Sequence, residues 1–192
     1  LTLFFIILST NLYASNIKKV YFAGGCFWCM EESFDKVEGV IETISGYSGG
    51  HVKNPKYKDV VKNTTGHYET LEITYDPSIT NFEKLLEIFW VNIDPFDANG
   101  QFCDKGESYK SVVFYENSDQ KKIIETSIKN IENKFNKKVV TYVKNFKEFY
   151  MAETYHQDYY EKNFIRYLMY KKGCQREEIP VSYTHLTLPT SR

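Results

Sequence analysis

Two thiols, Cys26 and Cys29, flank a Phe-Trp pair in the stretch GGCFWCMEESF, residues 24–34. A thiolate is a nucleophile, and it is favoured at the mouth of a helix, where free N–H groups and the helix dipole stabilise negative charge. Cys26 sits where such a helix is expected to begin, and Gly24 and Gly25 remove side chains just ahead of it, leaving room for a substrate. Cys29, three residues on, falls on the same helical face. A generic C-x-x-C leaves three readings open: a thioredoxin-like dithiol, part of a zinc site, or two buried thiols acting as small hydrophobes. The intervening residues count against each. A redox dithiol usually carries small or turn residues between its cysteines, and Cys103, His67 and His156 form no recognisable spacing partner for a tetrahedral metal site. A Phe-Trp insert instead offers an aromatic wall beside an activated thiol. A second candidate is Glu69. In HYETLEITYDP, residues 67–77, it falls in phase with Leu71, Ile73 and Tyr75, whereas Glu72 is in phase with Thr70 and Thr74. A carboxyl on an apolar face has its pKa raised and stays protonated near neutrality; at a fraying strand end it is solvated. The pattern alone allows both.

The elements that must position these groups follow from periodicity and punctuation. KKVYFA, residues 18–23, reads as a strand cut off by Gly24-Gly25, and Phe27, Met30, Phe34 and Val37 then recur at helical spacing. Residues 39–47 read as a second strand, a Gly/Asn/Pro/Lys-rich loop runs to Lys62, and residues 67–75 alternate as a third strand closed by Asp76-Pro77. Residues 81–93 form an amphipathic helix, residues 94–108 are irregular, and a strand is expected at 109–115. Ser118 or Asp119 caps a lysine-rich helix to about Phe135, residues 138–143 read as a strand, and residues 147 to about 167 as mostly helix. The order β-α-β-β-α-β within residues 18–116 is that of a ferredoxin-like α+β sandwich, here with an additional C-terminal strand and helices.

At 192 residues, 42% hydrophobic and 26% charged, the chain has the makings of one globular domain with a real core. A net charge of −1 with interleaved lysines and acids gives no basic stripe, so no nucleic-acid partner is expected, and the domain is read as a monomer. Residues 1–14 carry no charge, are too short for the roughly 20-residue span of a bilayer, and end in small residues. They read as a signal-peptide remnant without its charged start, so export to a periplasmic or extracytoplasmic location is expected, without stable membrane insertion; otherwise the protein is cytoplasmic. Residues 180–192, containing VSYTHLTLPTSR, lack the Lys/Glu/Tyr character of the preceding chain and read as a non-native tail, leaving residues 15–179 as the domain. Four cysteines, Cys26, Cys29, Cys103 and Cys174, are an even number, which in an exported chain points by default to structural disulfides, although a domain of this size does not need them.

GCFWCMEESF closely resembles the signature of the A-type peptide methionine sulfoxide reductases. The resemblance continues through GYSGG at 46–50, NPKYKDV at 54–60, TGHYETLEITYDP at 65–77, FDANGQFCDKG at 96–106 and YHQDYY at 155–160, and so covers about residues 19–170. It implies that Cys26 attacks the sulfoxide sulfur, that Phe27 and Trp28 form the pocket for the substrate methyl group, and that Glu69 donates a proton to the sulfoxide oxygen. Such a donor is required, because an unprotonated oxide is a poor leaving group. The same carry-over makes Tyr57 and Tyr109 phenol donors to that oxygen and Asp104 a polar group orienting the substrate. His67 reads as a neighbour of the site or a satisfied core histidine, and His156 as structural. SYKS at 108–111 departs from the QYRS of many members, which touches the substrate contacts of that loop.

Attack leaves Cys26 as a sulfenic acid, which a second thiol condenses with to give a disulfide. The Gly-rich C-terminal element that carries this thiol in some members is missing from NFIRYLMYKKGC, so Cys29 is expected to resolve the intermediate, with Cys174 as the alternative and Cys103 as a competitor. The implied activity is thiol-dependent reduction of methionine S-sulfoxide, free or in proteins, recycled by thioredoxin or a thioredoxin-like reductant, with no metal or organic cofactor. The other readings are a dithiol-disulfide oxidoreductase using Cys26 and Cys29, and a binding protein that holds oxidised methionine without turnover.

Overall fold

A computed structural model describes residues 16–176, so the readings of residues 1–14 and 180–192 lie outside the described residues. Strand β1 (Lys18–Ala23) leads into helix α1 (Phe27–Asp35), strand β2 (Val40–Ser48), the short helix α2 (Tyr57–Val60) and strand β3 (Tyr68–Tyr75). Helix α3 (Phe82–Val91) follows, then a ribbon of β4 (Gly100–Gln101) and β5 (Asp104–Lys105), strand β6 (Val112–Tyr115), helix α4 (Ser118–Phe135), strands β7 (Tyr142–Asn145) and β8 (Phe149–Met151), and helices α5 (Tyr159–Lys162) and α6 (Phe164–Gly173). None of these helices is long and apolar enough to cross a membrane.

The large sheet has the order β7-β6-β1-β3-β2-β8, antiparallel except for the β6–β7 pair. Its inner four strands, β6-β1-β3-β2, interleave two split β-α-β units, the ferredoxin-like arrangement expected from element order. Strand alternation decides which residues meet the helices. Val20, Phe22, Leu71, Ile73 and Val113 point to one face, where Met30 and Phe34 of α1, Leu85 and Phe89 of α3 and Ile124 and Ile131 of α4 close over them. The alternate residues Tyr21, Ala23, Tyr68, Val112 and Phe114 lie on the other face beneath Phe146 and Phe149. Each fully buried large side chain contributes about 1.5–3 kcal/mol.

The strand expected at 109–115 begins only at Val112, after a 3-10 turn at Glu107–Tyr109, and the stretch 94–108 read as irregular holds the β4–β5 ribbon. The structure departs from the expected elements in four further places. Asn117, not Ser118 or Asp119, caps α4, its side chain accepting the Gln120 N–H at 3.0 Å; such a cap contributes about 1 kcal/mol. The loop before β3 contains the turn of α2. β7 begins at Tyr142 because its parallel ladder starts at Val112↔Tyr142; Val140 donates instead to the Pro95 carbonyl at 2.9 Å. The segment read as helix over 147–167 contains the edge strand β8, a 3-10 turn at Thr154–His156 and the short α5, while α6 continues to Gly173. Tertiary pairing overrides local periodicity there. Gly46 on β2 lets β8 come so close that a Cβ would stand 2.4 Å from the Tyr150 carbonyl oxygen.

Candidate active site

Helix α1 opens at Cys26, whose carbonyl accepts the N–H groups of Cys29 at 3.2 Å and Met30 at 3.4 Å, while its side chain makes no capping bond. The first N–H groups of a helix have no partner within it. That of Phe27 is taken by Glu69, whose Oε2 accepts it at 3.1 Å from across the sheet. The phase of β3 explains the contact: Glu69 shares the face of Leu71 and Ile73, which is the face α1 covers. Glu69 is 2% exposed, and burial raises its carboxyl to about 8, against the pull of the Phe27 N–H. The buried alternative for this residue is therefore the one realised.

Cys26 and Cys29 are free thiols, each buried, within hydrogen-bonding reach of one another. Burial, reinforced by the Cys29 thiol, pushes Cys26 well above the ordinary thiol range. Cys29, receiving the Cys26 hydrogen bond, is drawn down to about 7. Two such groups titrate as a unit, taking one negative charge readily and a second with difficulty. Burial thus opposes a thiolate on Cys26 at the helix mouth, and the Cys26 hydrogen bond favours the pair's first negative charge on Cys29. The space beside the two glycines is also occupied. A Cβ on Gly24 would meet the Met30 sulfur at 2.4 Å, and one on Gly25, where φ is +78°, would meet Arg176 and Gln101 at 2.5 and 2.6 Å. These glycines make room for protein neighbours.

The hydroxyl of Tyr109, which follows β5, comes within reach of both the Glu69 carboxyl and the phenol of Tyr57, the first residue of α2. Burial raises both phenols, Tyr57 to about 12, so both remain O–H donors at neutral pH. The Tyr57 N–H is held by Glu153 Oε1 at 3.1 Å. Phe27 is fully buried against Tyr47 and Tyr57, with ring centroids at 6.1 and 6.5 Å. Trp28 is the half-buried ring of the pair, stacked on Tyr159 at 3.8 Å, with its indole N–H donating to His156 Nδ1 at 3.2 Å. His67 is occupied structurally: Nδ1 accepts the Gly50 N–H at 3.2 Å, and Nε2 lies 2.7 Å from the Val52 carbonyl.

Asp104 accepts the Tyr170 hydroxyl and lies 3.8 Å from the Arg176 guanidinium; burial raises its carboxyl. Sequence reasoning missed Tyr167, Tyr170 and Arg176. Tyr167 is buried beside Cys29 and donates to Glu32 at 2.5 Å. The two tyrosines stand three apart on α6, a helical signal hidden by the expected end of the helix near residue 167. Cys103 and Cys174, read as rivals of Cys29 for the resolving role, are instead bonded to one another in a disulfide of the kind the even cysteine count suggests, with Cα atoms 4.9 Å apart. With Asp104, these two residues form a cluster of metal-ligand types, but in the disulfide neither sulfur is a thiolate available to an ion.

The chain matches the family model for "Peptide methionine sulfoxide reductase" over residues 18–186. It is 48% identical over 157 residues to peptide methionine sulfoxide reductase MsrA 2 of Staphylococcus aureus strain MW2, covering 81% of this chain and 89% of that protein. A similar relationship, 48% over 158 residues with 81% and 87% coverage, holds for peptide methionine sulfoxide reductase MsrA of Bacillus licheniformis. Among solved structures, the reduced form of Mxr1 from Saccharomyces cerevisiae superposes with a TM-score of 0.71 at 30% identity, covering 77% of this chain and 86% of that one.

Proposed function

The chain belongs to the peptide methionine sulfoxide reductase family, and on that premise we propose that Cys26 is the sulfur nucleophile, and Glu69 the proton donor, of a methionine-S-sulfoxide reductase. It is an oxidoreductase working by thiol chemistry. The observation that carries the site assignment is the Glu69 carboxyl, buried and held at about 8, bonded to the residue next to Cys26. A carboxyl so placed is a neutral acid at pH 7, as protonation of a leaving oxide requires.

Cys26, having passed its proton to Cys29 within the pair, attacks the sulfoxide sulfur as the thiolate. Glu69 delivers a proton to the oxygen, with the Tyr57 and Tyr109 hydroxyls and Asp104 orienting the substrate and Phe27 and Trp28 walling its methyl group. In the adduct so formed the protonated oxygen passes from the substrate sulfur to Cys26 Sγ as the S–O and Sγ–S bonds break, methionine leaves with the sulfur electron pair, and Cys26 is left as a sulfenic acid. Cys29 then attacks Cys26 Sγ, water departs and a Cys26–Cys29 disulfide forms. A thioredoxin-type dithiol restores both thiols at the cost of its own oxidation. The uncharged segment 1–14 supports an exported location, where that donor is a thioredoxin-like protein; fractionation of cells carrying the gene tests this.

The deciding assay follows methionine formation from the separated S and R epimers of a methionine sulfoxide peptide, with dithiothreitol as reductant. Consumption of the S epimer alone is expected. Consumption of the R epimer, or reduction of insulin disulfides with neither epimer consumed, overturns the reading, the latter in favour of a dithiol-disulfide oxidoreductase.

A further inference from the structure

Arg176 is 4% exposed, yet among the described residues no carboxylate makes a close ion pair with it. Its Nη2 donates to the Gly24 carbonyl at 3.2 Å and stands 3.8 Å from Asp104 Oδ2, well beyond the 2.7–2.9 Å of a charge-assisted hydrogen bond. Asp104 is itself engaged by Tyr170 and lies near Lys105. The guanidinium packs over Phe102 at 4.7 Å, and its buried Nε–H has no acceptor among the described residues. A buried cation with this little compensation is costly unless an anion comes within reach.

Among the described residues, the ionisable groups facing the guanidinium are Cys26 and Cys29 from α1, Glu69 from β3, Asp104 from β5, and Tyr170 from α6. Tyr167 of the same helix touches Cys29. At neutral pH Glu69 is protonated and both phenols are neutral, because burial raises all three. Asp104 and the cysteine pair are then the only members of this set able to carry negative charge. Arg176 bonds the carbonyl of Gly24 and occupies the space a Cβ on Gly25 would need, so it is built into the turn that immediately precedes Cys26. Its own placement is fixed by the turn ending α6: Cys174 is bonded to Cys103, Gln175 takes a φ of +55°, and the Arg176 N–H donates to the Lys171 carbonyl at 3.2 Å.

We propose that Arg176 is a positioning residue for the sulfur chemistry, its buried guanidinium supplying the counter-charge for the thiolate shared by Cys26 and Cys29. The inference rests on the reading of Cys26 as nucleophile. Asp104 serves as the second anchor of the guanidinium, and the Cys103–Cys174 bond holds the turn that presents it.

The test compares Arg176→Lys, which keeps the charge, with Arg176→Met, which keeps the bulk without it, in the full chain. Thiolate absorbance at 240 nm and the rate of Cys26 carboxamidomethylation, mapped by mass spectrometry, are followed from pH 5 to 10. Arg176→Met is expected to lower the thiolate fraction and alkylation rate at pH 6–7 by about tenfold, equivalent to about one pKa unit, moving the profile to higher pH. Arg176→Lys is expected to restore most of the difference. Equal profiles for Lys and Met, or a Met profile superimposing on wild type, overturn the proposal. Failure of the nucleophile reading is read separately, as methionine formation surviving in Cys26→Ser.

Discussion

The indole N–H of Trp28 donates to Nδ1 of His156 at 3.2 Å, which ties the aromatic wall of the thiol motif to a turn 128 residues further along the chain. Burial holds His156 down to about 4, so the ring is neutral and its Nδ1 remains an acceptor throughout the physiological range. On the proposed reading its effect on substrate passes through the rings it touches, Trp28, Tyr57 and Phe27. His156→Ala is expected to raise KM about tenfold with a smaller change in kcat and no shift in the thiolate titration; steady-state kinetics with a sulfoxide peptide checks the split.

Glu69→Gln keeps an acceptor for the Phe27 N–H while removing the acid. The fold is expected to persist and the chemical step to slow by on the order of 10²–10⁴-fold, measured as single-turnover methionine release. The sign of the pH effect follows from the proton required. Wild-type turnover is expected to fall as pH rises through about 8, where Glu69 ionises, and the Gln variant to lose that descending limb.

Glu31 is completely buried on α1, and burial raises its carboxyl to about 8 against weak hydrogen bonding from the Asp158 backbone and the Ser45 hydroxyl. Its ordinary value is 4.5. The folded chain therefore binds this proton more tightly than the unfolded chain, and the stability it confers, full below 4.5, is lost as pH rises to about 8. Glu69 contributes with the same sign. Thermal melts between pH 5 and 9 are expected to show Tm falling by on the order of 10 °C, with the slope reduced in Glu31→Gln.

Because Cys174 is already bonded to Cys103 while Cys29 lies against Cys26, mass mapping after one turnover is expected to find a Cys26–Cys29 disulfide. A first-formed Cys26–Cys174 link would transfer the resolving role to Cys174. Cys174→Ser opens a 71-residue loop and is expected to lower stability by about 2–4 kcal/mol, read by urea unfolding, while Cys26–Cys29 formation continues.

Much of the site could be read from local pattern. The alternation of residues 69–75 placed Glu69 with Leu71 and Ile73, and the spacing of Phe27, Met30 and Phe34 started a helix at Cys26; both describe short-range geometry that neighbouring residues enforce. Period-based reading failed where partners are distant. Residues 149–151 became a strand because β2 offered a free edge softened by Gly46, and that edge carries no mark within residues 147–167.

By itself, the sequence determined the order of the βαββαβ core, the cysteine pair at a helix mouth and the face on which its acid stands, because strand and helix periods are local properties of the backbone. Only the tertiary structure decided how those thiols are charged. Arg176 reaches Gly24 across 152 residues, Tyr167 reaches Glu32 across 135, and Cys174 reaches Cys103 across 71. Burial and through-space charge act over distances of a few ångströms, which chain separation does not measure. A residue type that reads as solvated surface along the chain thus became the buried cation beside the Cys26 and Cys29 thiols.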